Sequence, residues 1–402
     1  MIPIVLLAAS VGAQAGPARW ALLALTAVGA LGHVPIYLLC LPRGRPREDS
    51  PRYADGAWPS VTLVVAAHNE IAVIRHKVEN SLALEYPGPL QIVVASDGSE
   101  DGTDEVVREF EPRGVRLYRN DPRTGKAGML RRAVGTISSE VVVLSDANAY
   151  YDPTALRALV GRFADPSIGG STGHIRLLRT EEDKDEVAIA AAEQETLLRE
   201  SASGSCIGVD GAMVAARREL IPAFPDGLIL DDFTLAMHVA NTGARVVFEP
   251  DATGYEFTTP SLSSEYERRA RMFAGVVQLF RWGVGVPQRG SGLMRRFLAH
   301  KVWRWTAPLF LVSAGLQLLL TVGVLPGLAL GTACVAGLWI LLSMRHGPRE
   351  ANHRIGFLVV TIMGSLTGLA RGLRNRQSGA WRRTTRAAET VADETGAGGN
   401  QE

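Results

Sequence analysis

Polar side chains that could do chemistry follow three of the short apolar runs in the middle of the sequence. They are His68, Asn69 and Glu70 after the first run, Asp97 and Gly98 after the second, and Asp146 and Asn148 after "VVVL". Binding pockets combine a few convergent polar groups with an apolar lining. The clusters therefore predict a pocket for a polar ligand.

Each cluster also has a structural interpretation. The stretch "SDGSEDGT" could be a turn and a helix start, in which Asp and Ser cap free amides and glycines adopt positive φ. The pair Asn69-Glu70 could simply begin a helix, and Asp146 could cap the turn before Pro153. Three such clusters at successive strand ends favour a binding site over three unrelated turns.

The elements that must position these groups are strands alternating with helices. The β-branched runs "VTLVVAA", "LQIVVAS", "GVRLYR" and "EVVVLSD" have strand length, and amphipathic stretches separate the first, second and fourth. This alternation, between Trp58 and about Trp282, predicts βαβ units and a mostly parallel sheet covered on both faces. Ligands bind beyond the carboxyl ends of such strands, where the polar clusters lie.

Composition limits the class of protein. The chain has 402 residues with 47% hydrophobic content, enough for one large domain and additional membrane segments. Because 42 Lys and Arg nearly cancel 41 Asp and Glu, bulk charge gives no indication of nucleic-acid binding. Cys40, Cys206 and Cys334 lack metal-ligand spacing, so a disulfide framework is not expected and a reducing compartment fits.

The amino-terminal apolar segment predicts a membrane helix. Residues from Trp20 to Leu41 carry no formal charge, and about 20 apolar residues suffice to cross a bilayer as a helix. Basic residues follow at once, which places that end on the cytoplasmic side; they are Arg43, Arg45, Arg47 and Arg52. Alternatively, Met1 to Gly16 is a cleaved signal peptide, although the basic segment typical of one is missing.

The carboxyl-terminal third contains further apolar segments. Residues 307–343 are long enough for two helices broken near Pro326, and residues 355–370 form a third segment. Three full crossings would place the basic stretch "RGLRNRQSGAWRRTTR" outside, against the charge rule. We therefore expect the last segment to be re-entrant or interfacial. Residues from about Ala387 to Glu402 are small, polar and acidic, which predicts a disordered tail.

Seven motifs in order carry a resemblance to a known family. They are "AAHNE", "SDGSEDGT", "RTGKAGML", "LSDANA", "GVDGAMVAARR", "LDDF" and "RRARM", between about Val61 and Gln278. The chain resembles the membrane-bound family 2 glycosyltransferases, which include the cellulose, chitin, hyaluronan and poly-N-acetylglucosamine synthases. The resemblance implies an α/β GT-A fold, a Rossmann-like nucleotide-diphospho-sugar transferase domain with flanking transmembrane helices. The implied boundaries are a membrane segment at 1–48, the cytoplasmic GT-A domain at 58–285, interfacial and transmembrane helices at 286–375, and a basic then disordered tail at 376–402.

The resemblance implies a nucleotide-sugar and metal site. The positions that line the nucleotide pocket are Ala66, Glu70, Asp97 and Lys126. Asp146 and Asn148 take the place of the Asp-x-Asp metal motif, with an asparagine for the second carboxylate. Mg²⁺ or Mn²⁺ is the implied cofactor, because such a cation needs only one or two protein carboxylates when phosphates supply other oxygens.

The resemblance also implies the residues that act on the acceptor. Asp232 corresponds to the general base, and Asp231 to a neighbour that raises its basicity. Asp210 lies in the stretch that lines the acceptor site, and Arg268 and Arg271 belong to a diphosphate and acceptor gate. Here Arg268 replaces the glutamine of the family's Gln-x-x-Arg-Trp motif and a methionine replaces its tryptophan, which puts polymer synthesis in doubt.

The function so implied is inverting transfer of a sugar from a nucleotide-sugar, first of all a UDP-sugar, to a membrane-proximal glycan acceptor, with polysaccharide synthesis as one form of this activity. Two alternatives stay open: single-sugar transfer to a lipid acceptor, and a catalytically silent membrane scaffold. The implied partners are the nucleotide-sugar donor, a glycan or lipid acceptor and the lipid bilayer, without nucleic acid. The implied location is the cell membrane, with several crossings and a cytoplasmic catalytic domain.

Overall fold

A computed structural model describes residues 2–12, 16–41, 53, 56–178, 184–257 and 262–377. The basic segment at 43–52 and the predicted tail at 387–402 lie outside these ranges. The chain forms two compact units. The helical unit comprises residues 1–40, 260–277 and 294–377, and the sheet unit comprises the remainder.

Strands and helices alternate through the sheet unit. The strands are β1 (Val61–Ala67), β2 (Leu90–Asp97), β3 (Val115–Asn120), β4 (Val141–Asp146), β5 (Ala149–Tyr151), β6 (Ile168–Leu178), β7 (Met213–Arg217) and β8 (Arg245–Phe257). The helices of the chain are α1 (Ile2–Gly12), α2 (Pro17–Leu31), α3 (His33–Cys40), α4 (Ile71–Leu82), α5 (Thr103–Arg108), α6 (Lys126–Val134), α7 (Ala155–Gly161), α8 (Lys184–Ala202), α9 (Asp231–Asn241), α10 (Leu262–Trp282), α11 (Gly292–Phe297), α12 (Trp303–Val322), α13 (Val324–His346) and α14 (Pro348–Leu373).

The strands form one mixed sheet in the order β3-β2-β1-β4-β7-β6-β8-β5. The strands β3, β2, β1 and β4 run parallel to one another, as the sequence predicts. The second half of the sheet departs from a mostly parallel arrangement, because β7 runs antiparallel to both β4 and β6, and β5 antiparallel to β8. The α/β class is confirmed, with a sheet that is mixed overall.

The core of the sheet unit explains why the apolar runs become strands. All seven residues of β1 are buried, as expected for a central parallel strand with helices on both faces. On α4 the buried positions include Val73, Ile74 and Val78, spaced so that one helix face lies on the sheet. Because β1 pairs with β4 in register, Ala66 lies opposite Asp146 at the carboxyl edge.

In the helical unit, α2 and α12 approach closely. Trp303 Nε1 donates a hydrogen bond to the carbonyl of Gly29 at 2.7 Å, and a Cβ added to Gly29 would lie 2.5 Å from the Phe310 ring. The prediction of one helix from Trp20 to Leu41 is wrong, since α2 ends at Leu31 and α3 begins at His33. Pro35 has no backbone N–H to offer the Leu31 carbonyl, which explains an interruption there.

Among the described residues, three helices are long and apolar enough to cross a membrane: Gly292–Val322, Val324–Arg345 and Ala351–Leu373. The predicted break near Pro326 is confirmed, because Gly323, with φ +90°, separates α12 from α13. The expectation of a re-entrant last segment is not supported by the structure, in which α14 is one continuous helix of 26 residues.

Candidate active site

The loop before α6 is organised by the buried carboxylate of Asp97. Its Oδ1 accepts hydrogen bonds from Asn120 Nδ2 at 2.6 Å and from the Thr124 amide at 2.9 Å. Its Oδ2 accepts one from the amide of Gly125 at 2.8 Å. Gly125 has φ +82°, a conformation that favours glycine, and α6 begins immediately after it at Lys126. Asp97 thus fixes the point from which Lys126 extends.

Lys126 joins two separate parts of the sheet unit. Its Nζ lies 2.6 Å from Asp146 Oδ1, at the end of β4, and 3.7 Å from Asp231 Oδ2, at the start of α9. Burial alone would lower the pKa of Lys126, but the carboxylates of Asp146, Asp231 and Asp232 outweigh it and raise the pKa above its ordinary value. The ammonium therefore stays charged at neutral pH.

The two aspartates that begin α9 occupy different surroundings. Asp231 is buried and faces Lys126. Asp232 accepts a hydrogen bond from the Phe233 amide at 2.6 Å through Oδ1, and the positive end of the helix dipole favours a carboxylate at this position. A Cβ added to Gly211 would lie 3.1 Å from Asp232 Oδ2, so the glycine leaves space for this carboxylate.

Asp210 adds a carboxylate to the same part of the sheet unit. Burial raises the pKa of Asp210 to about 6, and the charges of Asp146 and Asp232 act in the same direction. Its Oδ1 accepts a hydrogen bond from the Ala212 amide at 3.0 Å, and its own amide donates to Thr172 Oγ1 at 3.0 Å. The structure thus brings together Lys126 with the acidic residues from three separate motifs.

Asp146 and Asn148, the two predicted metal ligands, offer few donor atoms. Within the described ranges, no group of three His, Cys, Asp or Glu side chains could hold a metal ion. Asn148 is 4% exposed, and its Nδ2 donates a hydrogen bond to Glu256 Oε1. The oxygen is at the opposite end of the carboxamide from this hydrogen bond. One carboxylate and one neutral oxygen fit a cation that takes most of its ligands from a bound diphosphate and water.

A polar cavity of about 240 Å³ lies where β1 and β2 end. It is lined by His68, Asn69, Gly98, Glu100, Arg119, Asp121 and Arg123. His68 Nδ1 donates to the Asp97 carbonyl at 2.8 Å, so neutral His68 keeps Nε2 as an acceptor. Burial lowers the pKa of His68, and the positive charge of Arg123 lowers it further.

The remaining predicted residues are distributed over both units. Glu70 is buried at the start of α4, and its amide donates to Thr103 Oγ1 at 2.9 Å. Arg268 and Arg271 lie on the part of α10 that belongs to the helical unit. There Arg268 forms an ion pair with Glu265 at 2.7 Å.

Sequence reasoning missed Lys77, whose side chain is fully buried under the turn that carries Asp146. Its Nζ donates to Ser145 Oγ at 2.8 Å and to the Ala149 carbonyl, and it lies 4.3 Å from the centre of the Tyr151 ring. Burial lowers the pKa of Lys77 to about 7, while the charge of Asp146 opposes that shift. A signal was present, because Lys77 occupies the buried face of α4, four residues after Val73.

Glu256 was also missed, and here the sequence offers little signal. The residue lies near the end of β8, 108 positions after Asn148. Only the antiparallel pairing of β5 with β8, in which Ala149 lies opposite Glu256, brings the two together.

Comparison with known proteins identifies the fold. The mannosyltransferase PcManGT from Pyrobaculum calidifontis, solved in complex with GDP-Man and Mn²⁺, superposes with a TM-score of 0.73 at 22% sequence identity. The match covers 89% of this chain and 100% of that one. The predicted GT-A fold is confirmed.

Two curated relatives match parts of the chain. Glycosyltransferase AglD of Haloferax volcanii is 32% identical over 136 residues, which are 32% of this chain and 22% of that protein. Poly-beta-1,6-N-acetyl-D-glucosamine synthase of Staphylococcus aureus (strain COL) is 22% identical over 227 residues, which are 54% of each protein. The chain therefore spans about half or less of the length of these relatives.

The family model described as "Glycosyltransferase like family 2" matches residues 59–284. These residues contain β1 to β8 and all of the predicted site residues. Because the match covers more than half of the chain, the protein belongs to glycosyltransferase family 2.

Proposed function

We propose that the protein is an inverting glycosyltransferase that moves a sugar from a nucleotide-sugar, in first place a UDP-sugar, to a membrane-proximal glycan. One observation carries the proposal: Lys126 Nζ lies 2.6 Å from Asp146 and 3.7 Å from Asp231. The Lys126 ammonium is shared by the carboxylates at the end of β4 and the start of α9. This arrangement suits a site where a diphosphate leaves beside a carboxylate that activates the acceptor.

In this proposal Asp232 is the general base. It takes the proton from the acceptor hydroxyl as that oxygen forms a bond to the anomeric carbon and the bond to the diphosphate oxygen breaks. One base suffices for direct displacement with inversion, because the leaving nucleoside diphosphate is stabilised by positive charge. Lys126 supplies such charge, and Asp231, the neighbour of Asp232 at the start of α9, acts as its helper.

Asp146 and Asn148 would hold Mg²⁺ or Mn²⁺ together with the diphosphate. A bound cation would neutralise negative charge that develops on the leaving group. The sparse donor set supports binding of the metal mainly with the nucleotide, since the substrate must complete the coordination. The Mn²⁺ in the PcManGT structure is consistent with this proposal.

The nucleoside would occupy the side of the pocket built from β1 and β2. We assign contacts with the nucleotide-sugar donor to Glu70, Ala66 and the loop that Asp97 organises. We add His68 and Arg123 from the polar cavity. Neutral His68 has an acceptor nitrogen at Nε2 and Arg123 has N–H donors, and this combination suits hydrogen bonding to a base or ribose.

On the acceptor side we assign Asp210, with Arg268 and Arg271 as a gate for diphosphate and acceptor. Three helices of sufficient length and apolarity support a membrane location with several crossings, and we propose that the catalytic domain faces the cytoplasm. The methionine in place of the family's tryptophan, at position 272, favours the alternative of single-sugar transfer to a lipid.

A release assay across nucleotide-sugars tests the proposal, using the full chain with Mg²⁺ or Mn²⁺. The panel includes UDP-sugars and GDP-mannose, because PcManGT was solved with GDP-Man. We expect nucleoside diphosphate release with one donor, and Asp232→Asn should abolish release while nucleotide affinity is retained. A ladder of products from labelled donor would exclude single transfer.

The silent scaffold predicts the opposite outcome. If no donor in the panel releases nucleoside diphosphate under any acceptor condition, the scaffold interpretation replaces the enzyme. Unchanged release by Asp232→Asn would leave an enzyme but remove Asp232 from its role as base.

A further inference from the structure

Asn148, which is buried, and Glu256, which is half-buried, form a pair beside the proposed metal position. Asn148 precedes β5 directly, and Glu256 lies opposite Ala149 in the antiparallel pairing of β5 with β8. Asn148 Nδ2 donates a hydrogen bond to Glu256 Oε1, and Asn148 is 4% exposed. The contact is therefore a part-buried hydrogen bond in which the Asn148 side chain is largely screened from water.

The chemistry of the two groups fixes the direction of this hydrogen bond. An ionised carboxylate can only accept, whereas a carboxamide has a donating end and an accepting end. Glu256 therefore selects the orientation in which the NH₂ group of Asn148 faces the carboxylate. The carboxamide oxygen of Asn148 is then the end that remains for a ligand.

We propose that Glu256 is a positioning residue that makes Asn148 present its oxygen, and not its NH₂ group, to the cation and diphosphate. This inference rests on the proposed function. Without Glu256 the carboxamide could turn by 180°, and its NH₂ group would then repel a cation. The effect of Glu256 acts through Asn148, so no contact between Glu256 and substrate is required.

The pair also explains why this chain has Asn148 where the resemblance leads one to expect a second carboxylate. An aspartate at position 148 would face Glu256 at hydrogen-bonding distance with no proton to share, and two like charges in a part-buried contact are unfavourable. Asn148 and Glu256 are therefore a matched pair.

The turn itself is held independently of Glu256. Lys77 Nζ donates to Ser145 Oγ and to the Ala149 carbonyl, which flank the turn on both sides. A substitution at position 256 should therefore change the orientation of Asn148 and leave the backbone of the turn in place. This separation makes the pair suitable for an exchange experiment.

The test exchanges the two functional groups. The unaltered full chain is compared with Asn148→Asp, Glu256→Gln and the double variant. Calorimetry measures the Mn²⁺-dependent binding of UDP, or of the nucleoside diphosphate that the preferred donor releases. We expect each single substitution to weaken this binding by about tenfold, from loss or reversal of one charge-assisted hydrogen bond. In the double variant the new carboxamide can donate to the new carboxylate, so affinity should return to within about threefold of the original.

A second readout keeps the inference testable if nucleotide binding fails. Melting temperatures in EDTA should show the same pattern, with both single variants less stable than the double variant. Asn80→Asp is the matched control, because the Asn80 carboxamide bridges the backbone of Tyr151 on β5. Combining Asn80→Asp with Glu256→Gln should not raise the melting temperature above that of either single variant.

The outcomes separate the two proposals. Absence of Mn²⁺-dependent nucleotide binding in the unaltered protein, together with rescue of stability in the double variant, would reject the proposed function and keep the pairing of Asn148 with Glu256. Equal behaviour of Asn148→Asp and the double variant in both readouts would overturn the inference about Glu256.

Discussion

Lys77 Nζ lies 2.8 Å from Ser145 Oγ, in a fully buried position under the turn that carries Asp146. A buried ammonium is unfavourable unless its hydrogen bonds are made, and here the Ala149 carbonyl and the Tyr151 ring complete its surroundings. The sheet unit thus places one cationic side chain, Lys77, beneath the turn and another, Lys126, next to the Asp146 carboxylate.

Removing the Lys77 side chain should destabilise the sheet unit. Lys77→Ala leaves a cavity and deprives Ser145 Oγ and the Ala149 carbonyl of a donor, for which we expect a loss of about 2–4 kcal/mol in the free energy of unfolding. Thermal or denaturant unfolding measures this loss. His76→Ala, at the neighbouring exposed position of α4, is the control. Equal stability of the two variants would contradict the structural role of Lys77.

Replacing Lys126 should affect turnover more than folding. Lys126→Met leaves Asp146 and Asp231 without the cation that they share, and the leaving diphosphate loses a stabilising charge. We expect kcat/KM to fall by about 10²–10³. Arg113→Met is the control, because Arg113 is an exposed cation that precedes β3 at the amino end of that strand. A similar kcat/KM for both variants would exclude Lys126 from the reaction.

The sequence predicted best those features that depend on local pattern. The β-branched runs gave β1 to β4, and the polar residues at their ends gave Asp97 and Asp146. The irregular composition of β6, "IGGSTGHIRLL", has no clear alternation, so its pairing with β7 and β8 could not be anticipated.

Long-range relationships account for the rest. The hydrogen bond between Asn148 and Glu256 spans 108 positions and depends on the pairing of β5 with β8, which no local period encodes. Lys77 differs from this case, since its phase on α4 already marked it as a buried lysine. A charged residue on the apolar face of a predicted helix is therefore a usable signal for a polar partner in the core.

Gly211 lies close to Asp232. A substitution at Gly211 should therefore slow catalysis without weakening the binding of the nucleotide-sugar donor. The Cβ of Gly211→Ala would lie 3.1 Å from the Cβ and Oδ2 of Asp232, so the carboxylate must move by a few tenths of an ångström. Small displacements of a general base are costly, and we expect kcat to fall by about 10–100-fold at unchanged nucleotide affinity. Steady-state kinetics and calorimetry together measure the two effects.

Gly161→Ala is the control for this prediction, because a Cβ at Gly161 would make only an ordinary contact, 3.6 Å from the Trp58 ring. That variant should retain full kcat. If Gly211→Ala also retained full kcat, Asp232 would have to tolerate displacement, which is incompatible with its role as the base.

The pH dependence of stability should depend on His68. Burial and Arg123 lower the pKa of His68 below its usual value of 6.5. The unfolded chain therefore binds a proton more readily than the folded one as the pH falls through 6.5, and the free energy of unfolding must decrease with it. In the folded protein Nδ1 already donates to the Asp97 carbonyl, so protonation adds a second N–H to a ring whose positive charge is opposed by that of Arg123. Between pH 7.5 and 5.5, the melting temperature in EDTA should fall for the unaltered protein and fall less for His68→Gln. Parallel curves for the two proteins would show that His68 does not contribute to the pH dependence of stability.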